Sequence, residues 1–167
     1  MNRWILIFVL VCTSSVGART LTDKDISNES ETANWLAYGR THSEQRFSPL
    51  ADINQDNVGD LKPDWVLDLP NDVSLVSTPL VIDGVLYFTG TMNVVRAVNA
   101  TTGKLLWEYD PEIAKEVAGT KRAGWTHNRG LSAYGDKLFQ ATWDGRLIAL
   151  DRKSGKPVWS TRTFPLN

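Results

Sequence analysis

Few side chains in this sequence could carry out chemistry without help. Cys12 is the only cysteine, so neither a disulfide framework nor a cysteine metal site is available. His42 and His127 are the two histidines; they lie far apart, without the histidine–acid spacing of a metal site. Histidine titrates near neutral pH, which makes His127 a candidate base. Any redox chemistry must therefore come from a bound cofactor.

Composition excludes several function classes. The chain has 167 residues, of which 42% are hydrophobic and 22% charged, as in an ordinary globular protein. Its formal net charge of -1 gives no basic excess. We therefore expect no nucleic-acid partner and no polybasic membrane patch.

The first 18 residues have the pattern of a signal peptide. Arg3 precedes an unbroken apolar run over residues 4–12, and small residues at 16–18 suit cleavage after Ala18. The run is short for a membrane span, which disfavours a permanent transmembrane anchor. Val11 is larger than the residue that normally precedes a lipid-attachment cysteine such as Cys12. We expect a periplasmic or secreted protein.

The elements that would have to position a cofactor are repeated. Residues 19–32 are polar and acidic without periodicity, which predicts a mobile leader, and the organised chain is expected over 33–164. Within it, the segment 97–107 recurs as 149–159. An alanine, a glycine, a lysine and a tryptophan each recur at an offset of 52 residues, as in Ala97 and Ala149. The same offset extends upstream of both segments.

Each repeat predicts four short strands separated by turn residues. The predicted strands are 79–82, 86–89, 94–99, 105–109, 131–134, 137–142, 146–151 and 157–161. Four strands at this period favour all-β propeller blades over helical repeats, since amphipathic helical stretches are missing from the sequence. Gly103 and Gly155 are expected at turns with positive φ, and Trp107 and Trp159 are expected to pack blades rather than to catalyse.

Residues 61–69, with Trp65, look like one more fourth strand without a blade of its own. In a closed propeller such an N-terminal strand completes the last blade and seals the ring. The sequence therefore predicts a partial propeller of about two blades plus a sealing strand.

Three stretches resemble the quinoprotein alcohol dehydrogenases, which depend on pyrroloquinoline quinone (PQQ). The first is the N-terminal signature around Tyr38-Gly39-Arg40 and the segment 45–61. The second is the tryptophan repeat, in which family members stack the indole between an alanine of its own motif and the turn of the next blade. The third is Asn128-Arg129-Gly130. The resemblance implies an eight-bladed ring with the cofactor near its axis.

The resemblance implies that Arg129 contacts the cofactor, because a guanidinium can pair with the oxygens of a polycarboxylated quinone. Many relatives have two adjacent cysteines where this sequence has Ala123-Gly124, so it resembles a branch without them. Trp125 could then cover the quinone by stacking, or could simply pack its loop. Val76 stands where many relatives have a glutamate, which removes one polar contact.

The resemblance also implies bound calcium or a similar cation, an aspartate base, an alcohol substrate and a cytochrome or quinone as electron acceptor. Cation ligands and base lie in later blades of relatives, so we expect no catalytic residue in this chain, no base role for His127, and an incomplete, inactive fragment. Two alternatives remain: a protein-binding propeller scaffold of the outer-membrane assembly type, and an oligomer whose copies complete a ring.

Overall fold

A computed structural model describes residues 19–73, 75–120 and 127–165. Two four-stranded antiparallel sheets, blade 1 and blade 2, form most of it. Blade 1 consists of β1 (Leu80–Ile82), β2 (Val85–Thr89), β3 (Val95–Asn99) and β4 (Leu105–Tyr109). Blade 2 consists of β5 (Ser132–Tyr134), β6 (Lys137–Ala141), β7 (Arg146–Asp151) and β8 (Pro157–Arg162). Every strand lies within one residue of its predicted bounds, which confirms the partial propeller.

The two blades share details that follow from the repeated sequence. Each sheet is a meander in chain order, and each has a register irregularity at the same place, after Ala97 in blade 1 and after Ala149 in blade 2. The turn glycines Gly103 and Gly155 have φ of 69° and 70°, as predicted. The repeat therefore specifies the local backbone of both blades.

Trp107 forms the seam between the blades. It lies opposite Ala97 on the neighbouring strand, and a Cβ on Gly155 would meet its ring at 2.5 Å. Its indole Nε1 donates a hydrogen bond of 3.2 Å to the carbonyl oxygen of Arg152. The stacking expected for the tryptophan repeats is thus present at this seam.

Residues 19–32 are not the mobile leader that we expected. They contain the short helix α1 (Asp23–Ile26), and Leu21 is only 1% exposed. Backbone hydrogen bonds of 2.9 Å join Leu21 to Gly135 in both directions, and Trp35 is bonded in the same way to Val81. The chain before blade 1 is therefore joined to β1 at Val81 and to the turn that follows β5 at Gly135.

Carboxylates anchor this segment. The Glu29 carboxylate accepts hydrogen bonds of 2.6 Å from the hydroxyls of Thr41 and Ser43, and it pairs with the buried Arg40 guanidinium at 2.7 Å. The hydroxyls, with a smaller effect of the Arg40 charge, lower the pKa of Glu29 below its ordinary value. The polar composition that predicted mobility here instead supplies a local hydrogen-bond network.

The predicted sealing strand, residues 61–69, has no sheet partner in the described part of the chain. Trp65 nevertheless docks on blade 1 as Trp107 docks on blade 2. A Cβ on Gly103 would meet the Trp65 ring at 2.6 Å, and its Nε1 donates to the carbonyl oxygen of Ala100 at 3.0 Å. The docking contact is present without the strand, because a strand requires a neighbour with which to pair.

The blades are joined by a loop that contains α2 (Ile113–Glu116), which we did not predict, and whose Ile113 is buried. The residues that the structure describes also contain two 3₁₀ turns, at Val58–Asp60 and Thr91–Asn93. None of the helices in the described residues has the length and apolar character that crossing a bilayer requires.

Candidate functional site

Arg129 lies near the start of the first strands of the two blades, β1 and β5. Its carbonyl oxygen accepts a hydrogen bond of 2.9 Å from the backbone N–H of Thr78, just before β1. The next residue, Gly130, forms a parallel bridge with Thr78. The backbone of Arg129 is therefore held at the junction of the blades, in a part of the fold where strands from both sheets meet.

Asn128 holds the same junction through both its side chain and its backbone carbonyl oxygen. Its Oδ1 accepts a hydrogen bond of 2.9 Å from the backbone N–H of Gly130, and its Nδ2 donates one of 2.8 Å to the carbonyl oxygen of Ala141. Its own carbonyl oxygen accepts the hydroxyl of Thr89 at 3.1 Å. Asn128 thereby connects the last residue of β2 with the last residue of β6.

Gly130 is required by a close approach of the backbone. Its φ is +138°, and an added Cβ would lie 2.8 Å from the carbonyl oxygen of Thr78. Any larger residue would force apart the two segments that lead into β1 and β5. The three residues of the motif thus have separate tasks: Asn128 connects, Gly130 allows close approach, and Arg129 presents its side chain.

The Arg129 side chain is exposed and lines a pocket of about 380 Å³. Along the described parts of the chain it enters no ion pair with a carboxylate. The pocket is lined by Tyr38, Thr78, His127, Asn128, Arg129, Gly130, Leu131, Ser132 and Ala141. A guanidinium beside hydroxyl and amide groups is suited to bind a ligand with carboxylate or carbonyl oxygens.

Tyr38, in the chain that leads from the N-terminal segment to blade 1, lines one side of this pocket. The Trp35 indole donates a hydrogen bond of 3.3 Å to the Tyr38 carbonyl oxygen, and the Arg46 guanidinium lies 4.5 Å from the centre of the Tyr38 ring. We had placed Tyr38 in the N-terminal signature but not in the site. Only the packed fold brings it to the same pocket as Arg129, about 90 residues further along the chain, and no local pattern predicts that proximity.

A buried polar contact joins the loops at the same end of the blades. The Gln140 side-chain Nε2 donates a hydrogen bond of 2.5 Å to the Asn93 carbonyl oxygen, and the backbone N–H of Trp143 donates one of 2.8 Å to Asn93 Oδ1. Both Gln140 and Asn93 are buried, which makes their hydrogen bonds costly to break. The loops that follow β2 and β6 are therefore held together close to Asn128.

The other predicted site residues are placed as follows. Trp125 and the pair Ala123-Gly124 lie outside the described residues. His127 is exposed and lines the pocket. Val76 is exposed and is not among the described residues that line it. In the three described ranges, no three His, Cys, Asp or Glu side chains are grouped so that they could hold a metal ion.

A second hollow, of about 330 Å³, lies between residues 65–69 and blade 1. It is lined mainly by apolar side chains, among them Trp65, Leu86 and Phe88. It offers no charged group, so it does not suit a polycarboxylate ligand as the Arg129 pocket does.

Comparison with known protein families gives a match over most of the chain. The family described as "Glucose/ethanol/alcohol dehydrogenase, beta-propeller domain" (PQQ) matches residues 35–161. The dehydrogenase subunit of the alcohol dehydrogenase (quinone) of Komagataeibacter europaeus is 53% identical over 132 residues, covering 79% of this chain and 18% of that protein. Quinohemoprotein alcohol dehydrogenase ADH IIB of Pseudomonas putida is 50% identical over 129 residues, covering 77% and 19%. The chain thus spans about a fifth of the length of these relatives.

Solved structures agree with the sequence relatives. The quinohemoprotein alcohol dehydrogenase of Comamonas testosteroni superposes with a TM-score of 0.78 at 35% identity, covering 86% of this chain and 22% of that one. A europium-containing methanol dehydrogenase gives a TM-score of 0.71 at 28% identity, covering 86% and 25%. These relatives, found by sequence and by structure, are therefore all named as alcohol or methanol dehydrogenases.

Proposed function

The chain belongs to the family of PQQ-dependent glucose, ethanol and alcohol dehydrogenase β-propellers, and we propose that it forms the N-terminal part of an enzyme that oxidises alcohols with PQQ. In this proposal its main contribution is one arm of the cofactor site, presented by Arg129. The relatives are about five times as long as the matched region, which supports the proposal that the complete activity needs residues outside this chain.

The observation that carries the proposal is the state of Arg129. Its guanidinium is exposed in a pocket and pairs with no carboxylate in the described residues, whereas Arg96, Arg146 and Arg152 all form ion pairs. PQQ is a planar quinone with several carboxylates. A charged fork of donors beside the hydroxyl of Ser132 is a donor set that fits such a group.

In the proposed site, Arg129 binds and orients a cofactor carboxylate or carbonyl oxygen and stays charged at every relevant pH. Its backbone is already fixed by Thr78 and by the bonds of Asn128, so only the side chain has to be ordered when the cofactor binds. Tyr38 excludes water from one side of the pocket. When bound, PQQ supplies the electrophilic quinone that accepts the hydride equivalents of the alcohol.

The remaining parts of the proposal concern other groups. Trp125 is proposed to stack on the cofactor. The cation, calcium or a similar ion, and the carboxylate base are proposed to be held by residues outside this chain, and this chain alone is proposed to be inactive. The electron acceptor would be a cytochrome or a quinone. Export to the periplasm or the medium, with cleavage after Ala18, follows from the signal-like pattern of the first residues.

Titration of the full-length apoprotein with PQQ tests the role of Arg129. We expect Arg129→Met to weaken binding between about tenfold and about 100-fold, because a charged hydrogen bond to the cofactor is lost. Arg129→Lys should recover part of the affinity, since a lysine keeps the charge but cannot bond in a bidentate way.

Arg162→Met is the matched control. Arg162 is a partly exposed arginine on β8 whose side chain bonds to the Asp144 carbonyl oxygen and pairs with Glu116. This variant should bind PQQ as the wild type does. An Arg129→Met protein with unchanged affinity for PQQ would show that Arg129 does not contact the cofactor.

A further inference from the structure

The residue before Arg129 occupies a position that relates the two blades. Thr89 and Ala141 are the last residues of β2 and β6 and are separated by the repeat offset of 52 residues. Asn128 bonds to both of them, to the Thr89 hydroxyl through its carbonyl oxygen and to the Ala141 carbonyl oxygen through Nδ2. One residue therefore connects equivalent points of the two sheets.

The Asn128 side chain makes the blade 2 half of this connection, which needs the two-sided chemistry of an amide. The blade 1 half uses the Asn128 backbone carbonyl oxygen, with a longer bond of 3.4 Å from the Thr89 hydroxyl to Oδ1. Oδ1 accepts the Gly130 N–H at 2.9 Å while Nδ2 donates to Ala141 at 2.8 Å. An aspartate of the same shape would lack the donor and would place a negative charge against a carbonyl oxygen. Alanine would lack both groups and leave the Gly130 N–H without this partner.

The contribution from blade 1 is a buried hydroxyl. Thr89 is 1% exposed, and besides its bond to the Asn128 carbonyl oxygen its backbone N–H is bonded to the Ser77 hydroxyl at 3.1 Å. Blade 2 has Ala141 at the equivalent position, which has no hydroxyl. Blade 1 therefore supplies a side-chain donor to Asn128, whereas blade 2 supplies a backbone carbonyl oxygen as acceptor.

All of these bonds converge on the residues that flank Arg129, while the Arg129 guanidinium itself takes part in none of them. An arginine side chain is long and flexible, so the place where its charge acts depends on how firmly its backbone is held.

We propose that Asn128 is a positioning residue, which ties Arg129 to both blades and thereby sets the affinity of the site for its polycarboxylated cofactor. This inference rests on the proposed function of Arg129. Asn128 acts on the ligand only through Arg129, so its effect must disappear when the arginine is gone.

A double-mutant cycle on the full-length apoprotein tests this, with the dissociation constant of PQQ and the unfolding temperature as readouts. We expect Asn128→Ala to weaken PQQ binding roughly tenfold, because the guanidinium is displaced from its binding geometry. In an Arg129→Met background, Asn128→Ala should weaken binding no further, although the unfolding temperature falls by the same amount in both backgrounds.

Asn99→Ala is the matched control. Asn99 lies at the far end of β3, and its Oδ1 also accepts backbone N–H groups, those of Thr101 at 3.1 Å and Thr102 at 2.9 Å. Its loss should lower the unfolding temperature without changing the affinity for PQQ. If Asn128→Ala does not fold, Thr89→Val removes the two bonds of the Thr89 hydroxyl, to the Asn128 carbonyl oxygen and to Oδ1, at nearly constant volume. It should weaken binding about threefold, again only when Arg129 is present.

Each outcome is informative. If Arg129→Met binds PQQ normally, the proposed function of Arg129 fails, and with it the inference. If Arg129→Met binds weakly but Asn128→Ala weakens binding equally in both backgrounds, or leaves affinity unchanged, the proposed function stands and the positioning role of Asn128 is refuted.

Discussion

Blade 1 and blade 2 carry the same tryptophan motif in two environments. Trp107 stacks on Gly155 of the neighbouring blade and donates a hydrogen bond to the carbonyl oxygen of Arg152. Trp159, at the equivalent position of blade 2, is opposite Ala149 in the same register but is 40% exposed. The motif therefore sets the position of the tryptophan within its own sheet. How much the side chain contributes to the free energy of unfolding depends on the residues that pack against it.

The aromatic partners of these tryptophans show the same contrast. Tyr87 lies with its ring centre 5.9 Å from that of Trp107, and Phe139 lies 6.0 Å from Trp159. Tyr87 is buried in the seam, and burial raises its pKa to about 12. The pair on the seam thus carries an ionisable group that the pair in blade 2 does not have.

The centres of the third strands differ as well. Arg96 of β3 is buried and pairs with the Asp72 carboxylate at 2.7 Å and with Glu108 at 2.7 Å. Its counterpart in β7 is the apolar Ile148. A Cβ on Gly90 would overlap the carboxylate of Asp72, so a glycine is needed beside this ion pair. Blade 1 uses the ion pair to hold the chain segment before β1.

The largest expected difference between the blades is in the tryptophans. In the 167-residue chain, Trp107→Ala should lower the free energy of unfolding by about 3–5 kcal/mol, as for a large aromatic removed from a core. Trp159→Ala should cost less than about 1 kcal/mol, since the side chain is partly exposed. Urea unfolding measures both. Equal losses would mean that another surface covers Trp159, and sedimentation velocity would show whether that surface is a second copy of the chain.

Variants at Arg96 of blade 1 and at Ile148 of blade 2 should show a somewhat smaller difference in the free energy of unfolding. We expect Arg96→Leu to lower the free energy of unfolding by about 3 kcal/mol, because the Asp72 carboxylate, 3% exposed, would be left without its cation. Ile148→Val in blade 2 should cost about 1 kcal/mol. Adding Asp72→Asn to Arg96→Leu should recover part of the loss in thermal unfolding. No recovery would show that packing of the arginine stem, and not the ion pair, supplies the stability.

The smallest effect is a dependence on alkaline pH that belongs to blade 1. The pKa of Tyr87 is raised from 10.0 to about 12, so the neutral phenol stabilises the fold fully below pH 10 and this contribution is lost as the pH rises towards 12. We expect the wild type to lose about 2 kcal/mol more than Tyr87→Phe over this range, measured by urea unfolding. The variant resembles blade 2, where Phe139 stands at this position. Parallel pH profiles would exclude Tyr87 as the source.

Much of the fold could be predicted from the sequence because its determinants are local. The turn at Asp83-Gly84 has positive φ at both residues, which those residue types tolerate, and short apolar runs mark the strands on either side of it. The helix at Ile113–Glu116 was missed because a four-residue helix leaves no periodic pattern. The packing of residues 19–32 was missed because Leu21 and Ile26 are buried in a core shared with both blades, whose residues lie far along the chain.

For the candidate site, the sequence by itself pointed to Arg129 through its motif, to the repeat, and to the need for a bound cofactor. The tertiary structure alone brought Tyr38 to the same pocket and made Asn128 the link between Thr89 and Ala141. The reason is physical. Turns and strands follow from interactions between residues close in sequence, whereas a pocket wall or a bridging amide depends on distances between segments that only the packed blades determine.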